Sequence, residues 1–461
     1  MKPPFDIAAD LDTPVSAYLK LQPLGPRFLL ESVEGGERQA RYSFIGFGGG
    51  PDLCLDGREL RIGGQRRPRP AGRRGILDAL REALAEAPEP RAEGAACPFA
   101  GGLVSIASYD LVRDFEARSL PPLPPEAGPV LLATAPRSLL VFDHLTRRAA
   151  VFDDGSEADR RSLRREVDRA LRCSTVRTRP GRPPSPPTAS FGAGDFEAAV
   201  RAVQGRIAAG EVYQLVLSIC FSGRCQVDPF QVYRALRLFN PSPYMYTCTF
   251  GDRTVIGSSP EALVRVDGRR ATLRPIAGTR PRGANEAEDR RLEEELLADP
   301  KEAAEHVMLV DLARNDLGRV AVPGTVRVEP SRIVERYSHV MHLVSGVEGV
   351  LEPEADAFDL FAAAFPAGTV VGAPKIRAMQ IIDDLEPVPR GVYAGTVGYF
   401  GHGGKMDQAI AIRTLVLEGD TYTFQAGAGI VADSIPRREY EEVLAKSAVL
   451  RRAMEVAGGE M

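Results

Sequence analysis

Tryptophan is absent from the 461 residues, and histidine is scarce: His144, His306, His339, His342 and His402 are the whole set. The six cysteines, Cys54, Cys97, Cys173, Cys220, Cys225 and Cys248, contain no C-x-x-C pair. That argues against a disulfide framework or a cysteine zinc site and for reduced thiols. No uninterrupted apolar run approaches about 18 residues, so no membrane span is expected. The opening MKPPFDIAADLDTP has no apolar core segment, so no secretory signal is expected and a cytoplasmic location follows. Net charge is −4 with acids and bases interspersed. A polyanion binder needs a basic surplus, so nucleic acid is not an expected partner. G-x-S-x-G, a cysteine in a G-x-C-x-G turn, a Walker loop and a Rossmann fingerprint in its βαβ context are all missing, which removes the usual nucleophile and nucleotide motifs.

What is present is ordinary globular composition, 44% hydrophobic and 26% charged. The proline-rich stretch STVRTRPGRPPSPPTAS can sustain neither a helix nor a central strand. It divides the chain into an N-terminal region 1–173, a linker 174–190 and a C-terminal region 191–461. Before the linker, short strands closed by glycine turns surround an amphipathic helix at 75–87 and precede a charged one at 157–172. After it, GDFEAAVRAVQGRIAAGEVYQ predicts a helix capped by Asp195. The run from Tyr244 to Gly278 reads as an antiparallel meander. Two helices follow, the second with Asp299 as N-cap, Pro300 at N1 and Glu302 at N3, a capping-box pattern. Strands at 392–400, 406–417 and 421–431 alternate with helices at 374–385 and 437–456. Meanders mixed with helices give an α+β fold, antiparallel sheets covered by helices.

Several residues stand out chemically. Glu302 and Glu305 share one helix face, as do Glu439 and Glu442, with Lys446 four positions on. Two such pairs facing one space suit a hard divalent cation, Mg²⁺, held by one or two carboxylates plus substrate; equally, they suit helix capping and a solvated face. FPAGTVVGAPK (365–375) and QAGAGIV (425–431) are either anion-binding turns or plain ones. Arg413 lies inside an otherwise apolar strand, where it needs a partner: a ligand carboxylate or an internal acid. His342 is the residue type that exchanges a proton near neutrality, although most histidines in such strands are structural.

Taken in order, EVYQLVLS (211–218), NPSPYMYT (240–247), SSPEALV (258–264), PIAGTRPRG (275–283), KEAAEHVMLVDLARNDLGRV (301–320), YSHVMHLVS (337–345), FPAGTVVGAPKIRAM (365–379), GVYAGTVGYF (391–400), MDQAIAIRT (406–414), QAGAGIVADS (425–434) and EYEEVLAKS (439–447) resemble the chorismate-using enzymes. LLESVEGGERQARYSFIG (29–46) extends the likeness and points to the anthranilate synthase component I branch. The resemblance implies two large, mainly antiparallel sheets packed as a sandwich with helices outside. It also implies roles. Glu305 and Glu442 match Mg²⁺ ligands, with Glu302 and Glu439 behind them. Glu261 matches the acid that protonates the leaving 4-hydroxyl, and His342, with Thr279 nearby, the group placed for pyruvate elimination. Thr369, Tyr393, Arg413, Gly427, Gly429 and Lys446 match the pocket for the substrate carboxylates.

Two positions bear on the chemistry. Relatives that add water carry a lysine base where this chain has Gln214, and those that make 4-amino-4-deoxychorismate typically carry a nucleophilic lysine where it has Ala277. Neither residue here acts as base or nucleophile. The resemblance therefore implies that ammonia, from a separate glutamine amidotransferase subunit, attacks chorismate to give anthranilate and pyruvate, the first committed step of tryptophan biosynthesis. 4-Amino-4-deoxychorismate synthase, aminodeoxyisochorismate synthase and a non-catalytic regulatory subunit are the alternatives. Leu30, Glu31, Ser32, Arg41, Asn240, Pro243, Tyr244 and Met245 resemble the family's inhibitory L-tryptophan site, the aromatic and the methionine sandwiching an indole; ordinary strand packing is the competing account.

Overall fold

Aromatic and β-branched residues dominate Tyr244–Phe250 and Arg253–Ser259, and Gly251, with φ 62°, supplies the left-handed turn between them. The resulting hairpin sits mid-sheet. The computed structural model describes residues 5–33, 41–90, 97–174, 181–337 and 340–459. Residues 34–40 of the 29–46 motif, 175–180 of the linker, and His339 lie outside the described residues.

Two large antiparallel sheets, of 12 and 11 strands among the described residues, form the body, with helices on their outer faces, as expected. Each draws strands from both sides of the proline-rich stretch. In the first, Pro26–Glu31 pairs with Tyr244–Phe250, and Gln214–Arg224 pairs with Thr421–Ile430. In the second, Gly102–Ala107 pairs with Thr396–Gly401, which pairs with Lys405–Ile410. Phe28, Phe44, Val104, Ile106, Leu139, Val141, Val397 and Tyr399 pack together in one buried layer to which both sheets contribute. Helices Ala193–Ala208 and Pro436–Ala457 cover the first sheet with Phe196, Val200, Val443 and Leu450, all buried. Fully burying one such side chain contributes about 1.5–3 kcal/mol. A small third sheet, Ile276–Pro281, Val340–Val344 and Ile333–Arg336, packs on helix Glu286–Ala298 through Leu296, Met341 and Leu343.

Three expectations are corrected. Helix Ala193–Ala208 is capped by Gly192, and Asp195 sits inside its first turn. Asp299 does cap helix Pro300–Gly318, accepting from the Lys301 and Glu302 amides. The Glu302 carboxylate, however, pairs with Arg280 at 3.2 Å rather than returning to the cap, because a full positive charge outcompetes a backbone amide. The span 406–417 is two strands, not one. Lys405–Ile410 belongs to the second sheet and Thr414–Glu418 to the first. Arg413 lies in the crossing between them at φ 49°, a left-handed conformation that a non-glycine residue adopts only when its surroundings enforce it.

Candidate active site

Strands Gln214–Arg224 and Thr421–Ile430 set Val216 opposite Gly429 and Ser218 opposite Gly427. Both glycines are tight. A Cβ on Gly427 would lie 2.6 Å from the Tyr393 hydroxyl, and one on Gly429 would lie 3.0 Å from Gln214 Nε2. Lys446, on helix Pro436–Ala457, donates to the Gly427 carbonyl at 3.1 Å and pairs with Glu442 at 2.6 Å. An ammonium has three donors, so one remains for a ligand. Gln214 is buried and its amide engages Glu305. Burial pushes the Tyr393 hydroxyl up to about 12, so it is a neutral donor.

Glu261 lies where the chain passes from strand Arg253–Ser259 of the first sheet to Ala262–Asp267 of the second. Its carbonyl accepts from the Ile410 amide at 3.0 Å, and its amide donates to Ser259 Oγ at 3.3 Å. Burial by surrounding protein raises its carboxyl to about 7, opposed by Thr369 and then Arg413. At neutrality it therefore carries a proton much of the time, as a general acid must. Thr369 Oγ1 is buried and has no hydrogen-bond partner at good geometry among the described residues. Arg413 makes no ion pair within 4.0 Å among the described residues; burial lowers its pKa, and Tyr393, Glu261 and Glu442 act against that loss at longer range. A half-buried guanidinium without a close acid among the described residues, beside the Glu261 and Thr369 side chains, is suited to a ligand carboxylate.

His342 lies on strand Val340–Val344, opposite Thr279 on one side and Glu335 on the other. Its Nδ1 is 3.0 Å from the Gly278 carbonyl oxygen and 3.1 Å from Thr279 Oγ1. A carbonyl only accepts, so Nδ1 bears the proton and Nε2 keeps a lone pair. Burial, with Arg413 helping, lowers its pKa against the Gly278 carbonyl and Glu335, which keeps that lone pair available. Gly278, at φ 65°, makes the bulge that separates Ala277 from Thr279; Ala277 is buried opposite Leu343.

The acidic pairs face a shared space. Burial first, then the like charge of Glu302, raises Glu305, while Gln214, Lys301 and Lys446 oppose. Burial also raises Glu439, helped by Glu442 and opposed by Ser434, Lys446 and Lys301. The same two lysines act on an acid of each helix, so the helices Pro300–Gly318 and Pro436–Ala457 present carboxylates to one space. Among the described residues no three acids, histidines or cysteines converge as a metal cluster. Two hard carboxylates raised by burial nonetheless fit Mg²⁺, which leaves its other positions to water and substrate.

A second, larger cavity of about 460 Å³ lies where the sheets part, within the usual range of about 300–1,000 Å³ for small-molecule pockets. Leu30, Glu31, Ser32, Arg41, Pro243, Tyr244 and Met245 line it. Asn240 does not; its amide donates to Ser258 Oγ at 2.8 Å and steadies the turn before Pro243. Glu31 already accepts from Tyr233 and from Arg237 at 3.0 Å, and Arg41 pairs with Asp143 at 2.9 Å. The second sheet supplies a wall that the sequence did not reveal: Arg265 pairs with Asp407 at 2.8 Å, and Tyr244 donates to Asp407 at 3.0 Å. Only the strand order joins residues so far apart. Arg280 was missed for the same reason: it reaches Glu295, Asp299 and Glu302 from one strand.

Residues 27–452 match the family of chorismate binding enzymes. Anthranilate synthase component 1 of Thermus thermophilus is 46% identical, over 97% of this chain and 96% of that protein. The Pseudomonas aeruginosa protein of the same name is 45% identical over 98% and 95%. Among solved structures, anthranilate synthase component I from Streptococcus pneumoniae superposes with a TM-score of 0.80 at 36% identity, over 96% of this chain and 98% of that one. The menaquinone-specific isochorismate synthase of Escherichia coli shares the fold, with a TM-score of 0.71 at 21% identity. These matches, over nearly the whole chain, make the conclusion plain: the chain belongs to the chorismate-binding enzymes and, among them, to the anthranilate synthase component 1 family.

Proposed function

We propose that this chain carries out the anthranilate synthase reaction on free ammonia, converting chorismate to anthranilate, pyruvate and water as a lyase. A glutamine amidotransferase subunit would supply the ammonia, Mg²⁺ would serve as cofactor, and L-tryptophan would inhibit. The observation that carries this reading is the cluster of Glu261, Thr369 and Arg413: a carboxyl pushed up to about 7 by burial, the threonine that holds it down, and a half-buried arginine with no close acid among the described residues.

The residues divide the work. Arg413, Tyr393, Thr369, Lys446 and the backbone around Gly427 and Gly429 bind the two substrate carboxylates. Glu261 gives its proton to the 4-hydroxyl as the C4–O bond breaks and water leaves. Ammonia forms the new bond at C2, since Gln214 and Ala277 offer neither base nor nucleophile. Glu305 and Glu442 would hold Mg²⁺ with Glu302 and Glu439 behind them; when bound, the ion supplies positive charge for the ring carboxylate and the developing charge. The Nε2 of His342 then takes the C2 proton, the enolpyruvyl C–O bond breaks, and the enol gains a proton to become pyruvate. The ring becomes aromatic, which drives this second step.

Tryptophan would bind in the 460 Å³ cavity, where Pro243 and Met245 offer apolar faces and Ser32 a hydroxyl. The test is the purified chain with chorismate and ammonium salts. Turnover should require Mg²⁺, stop with chelator, return with added metal, and fall with L-tryptophan. Metal-independent turnover would remove the cofactor from the account.

A further inference from the structure

The most completely buried ion pair among the described residues lies behind the residues of the site. Arg390 and Glu386, four residues apart just past the end of helix Lys375–Leu385, are 1% and 4% exposed and 2.7 Å apart. Arg390 Nε donates to Glu386 Oε2 at 2.8 Å and a terminal nitrogen donates to Oε1 at 2.7 Å, a bidentate fork. The guanidinium also donates to the Val370 carbonyl at 2.8 Å and to the Val216 carbonyl at 2.8 Å. It lies 4.9 Å from the Tyr109 ring and 5.6 Å from the Tyr393 ring. Glu386 Oε1 accepts in addition from the Ser218 amide at 2.9 Å and its hydroxyl at 2.7 Å.

Each contact lands beside a pocket residue. Val370 follows Thr369. Val216 is two residues past Gln214 and pairs across the ladder with Gly429. Ser218 pairs with Gly427, and Tyr393 packs its hydroxyl on that glycine. One guanidinium thus fixes three segments that are distant in sequence, and Tyr109 adds the N-terminal region. Stability alone does not call for this. A buried ion pair carries a desolvation cost that its attraction barely offsets, and well-packed neutral groups often serve as well. What neutral groups lack is a planar fork able to bond two carbonyls at fixed angles.

We propose that Arg390, held by Glu386, is a positioning residue that sets the spacing of Thr369, Tyr393 and the Gly427–Gly429 backbone for the substrate carboxylates. The inference rests on the chorismate assignment above. Glu261 and His342 hang from segments that Arg390 does not touch, so binding suffers more than chemistry when it is removed.

The test is steady-state kinetics on chorismate with saturating ammonium and Mg²⁺. Arg390→Lys keeps the charge but not the planar fork. Arg390→Met combined with Glu386→Gln removes both charges together and so leaves no buried ion unpaired. The expected result for each is a chorismate KM raised at least tenfold with kcat within about threefold of wild type. A merely structural role lowers the active fraction, hence apparent kcat, and leaves KM alone; that pattern, or unchanged kinetics in folded protein, overturns the proposal. Unfolding of both variants, seen by circular dichroism, also overturns it, because it assigns the pair to stability. Wild-type protein inert toward chorismate would instead refute the underlying assignment, so the two failures are distinguishable.

Discussion

The hydroxyl of Tyr393 occupies the space a side chain on Gly427 would need: a Cβ there would lie 2.6 Å from that oxygen and 2.7 Å from the Leu217 carbonyl oxygen. The backbone of one residue and the phenol of the other therefore form a single packed surface. Gly427→Ala must push the tyrosine aside against a fixed strand, and overpacking of this kind costs about 1–3 kcal/mol. The expected outcome is a chorismate KM raised about tenfold or more with the ammonium KM unchanged, measured in the same assay. Wild-type kinetics would mean that the two residues do not form the binding surface.

His342→Ala should separate the two halves of the reaction. Amination depends on Glu261 and should persist. Elimination loses its base, an effect of about 10²–10⁴-fold for a positioned group. The amino intermediate that retains the enolpyruvyl group should then accumulate and be seen by mass spectrometry during turnover. Equal slowing of both halves would take the histidine out of this role.

The pH dependence has a definite sign. Glu261 must be protonated to act, and burial holds its pKa near about 7. At constant free ammonia, kcat/KM for chorismate should be flat below that value and fall as pH rises through it. Thr369 holds this pKa down, so Thr369→Val should move the falling limb to higher pH while weakening binding. A limb that moves to lower pH contradicts the geometry.

Ser32→Ala removes one hydroxyl from the cavity between the sheets. The loss of a single hydrogen bond is worth about 0.5–1.5 kcal/mol, so half-inhibition should need roughly 2- to 10-fold more tryptophan. Activity without tryptophan should change little. Unchanged inhibition would place the effector elsewhere.

Much of the architecture was legible in the chain because alternating apolar strands and punctuating glycines act locally. The two-sheet body and the cleft motifs followed from order and resemblance. What stayed hidden depended on long-range pairing. Arg413 looked like a residue within one strand, yet it sits where the chain passes between sheets, and only that crossing forces its left-handed backbone. Glu302 looked like half of a capping box until Arg280 arrived from a strand of the small third sheet. Asp407 and Arg265 become a cavity wall only because their strands pair in register. Arg390 carried no signal at all, since nothing local shows that it meets Val216 and Val370.

The central claim is that ammonia is added and pyruvate is then lost in this one cleft. The most direct measurement is the identity of the product when the purified chain is given chorismate, ammonium and Mg²⁺, followed by fluorescence and mass. The account predicts fluorescent anthranilate and an equal amount of pyruvate. A product that keeps the enolpyruvyl group, or one carrying its nitrogen at C4, would contradict it.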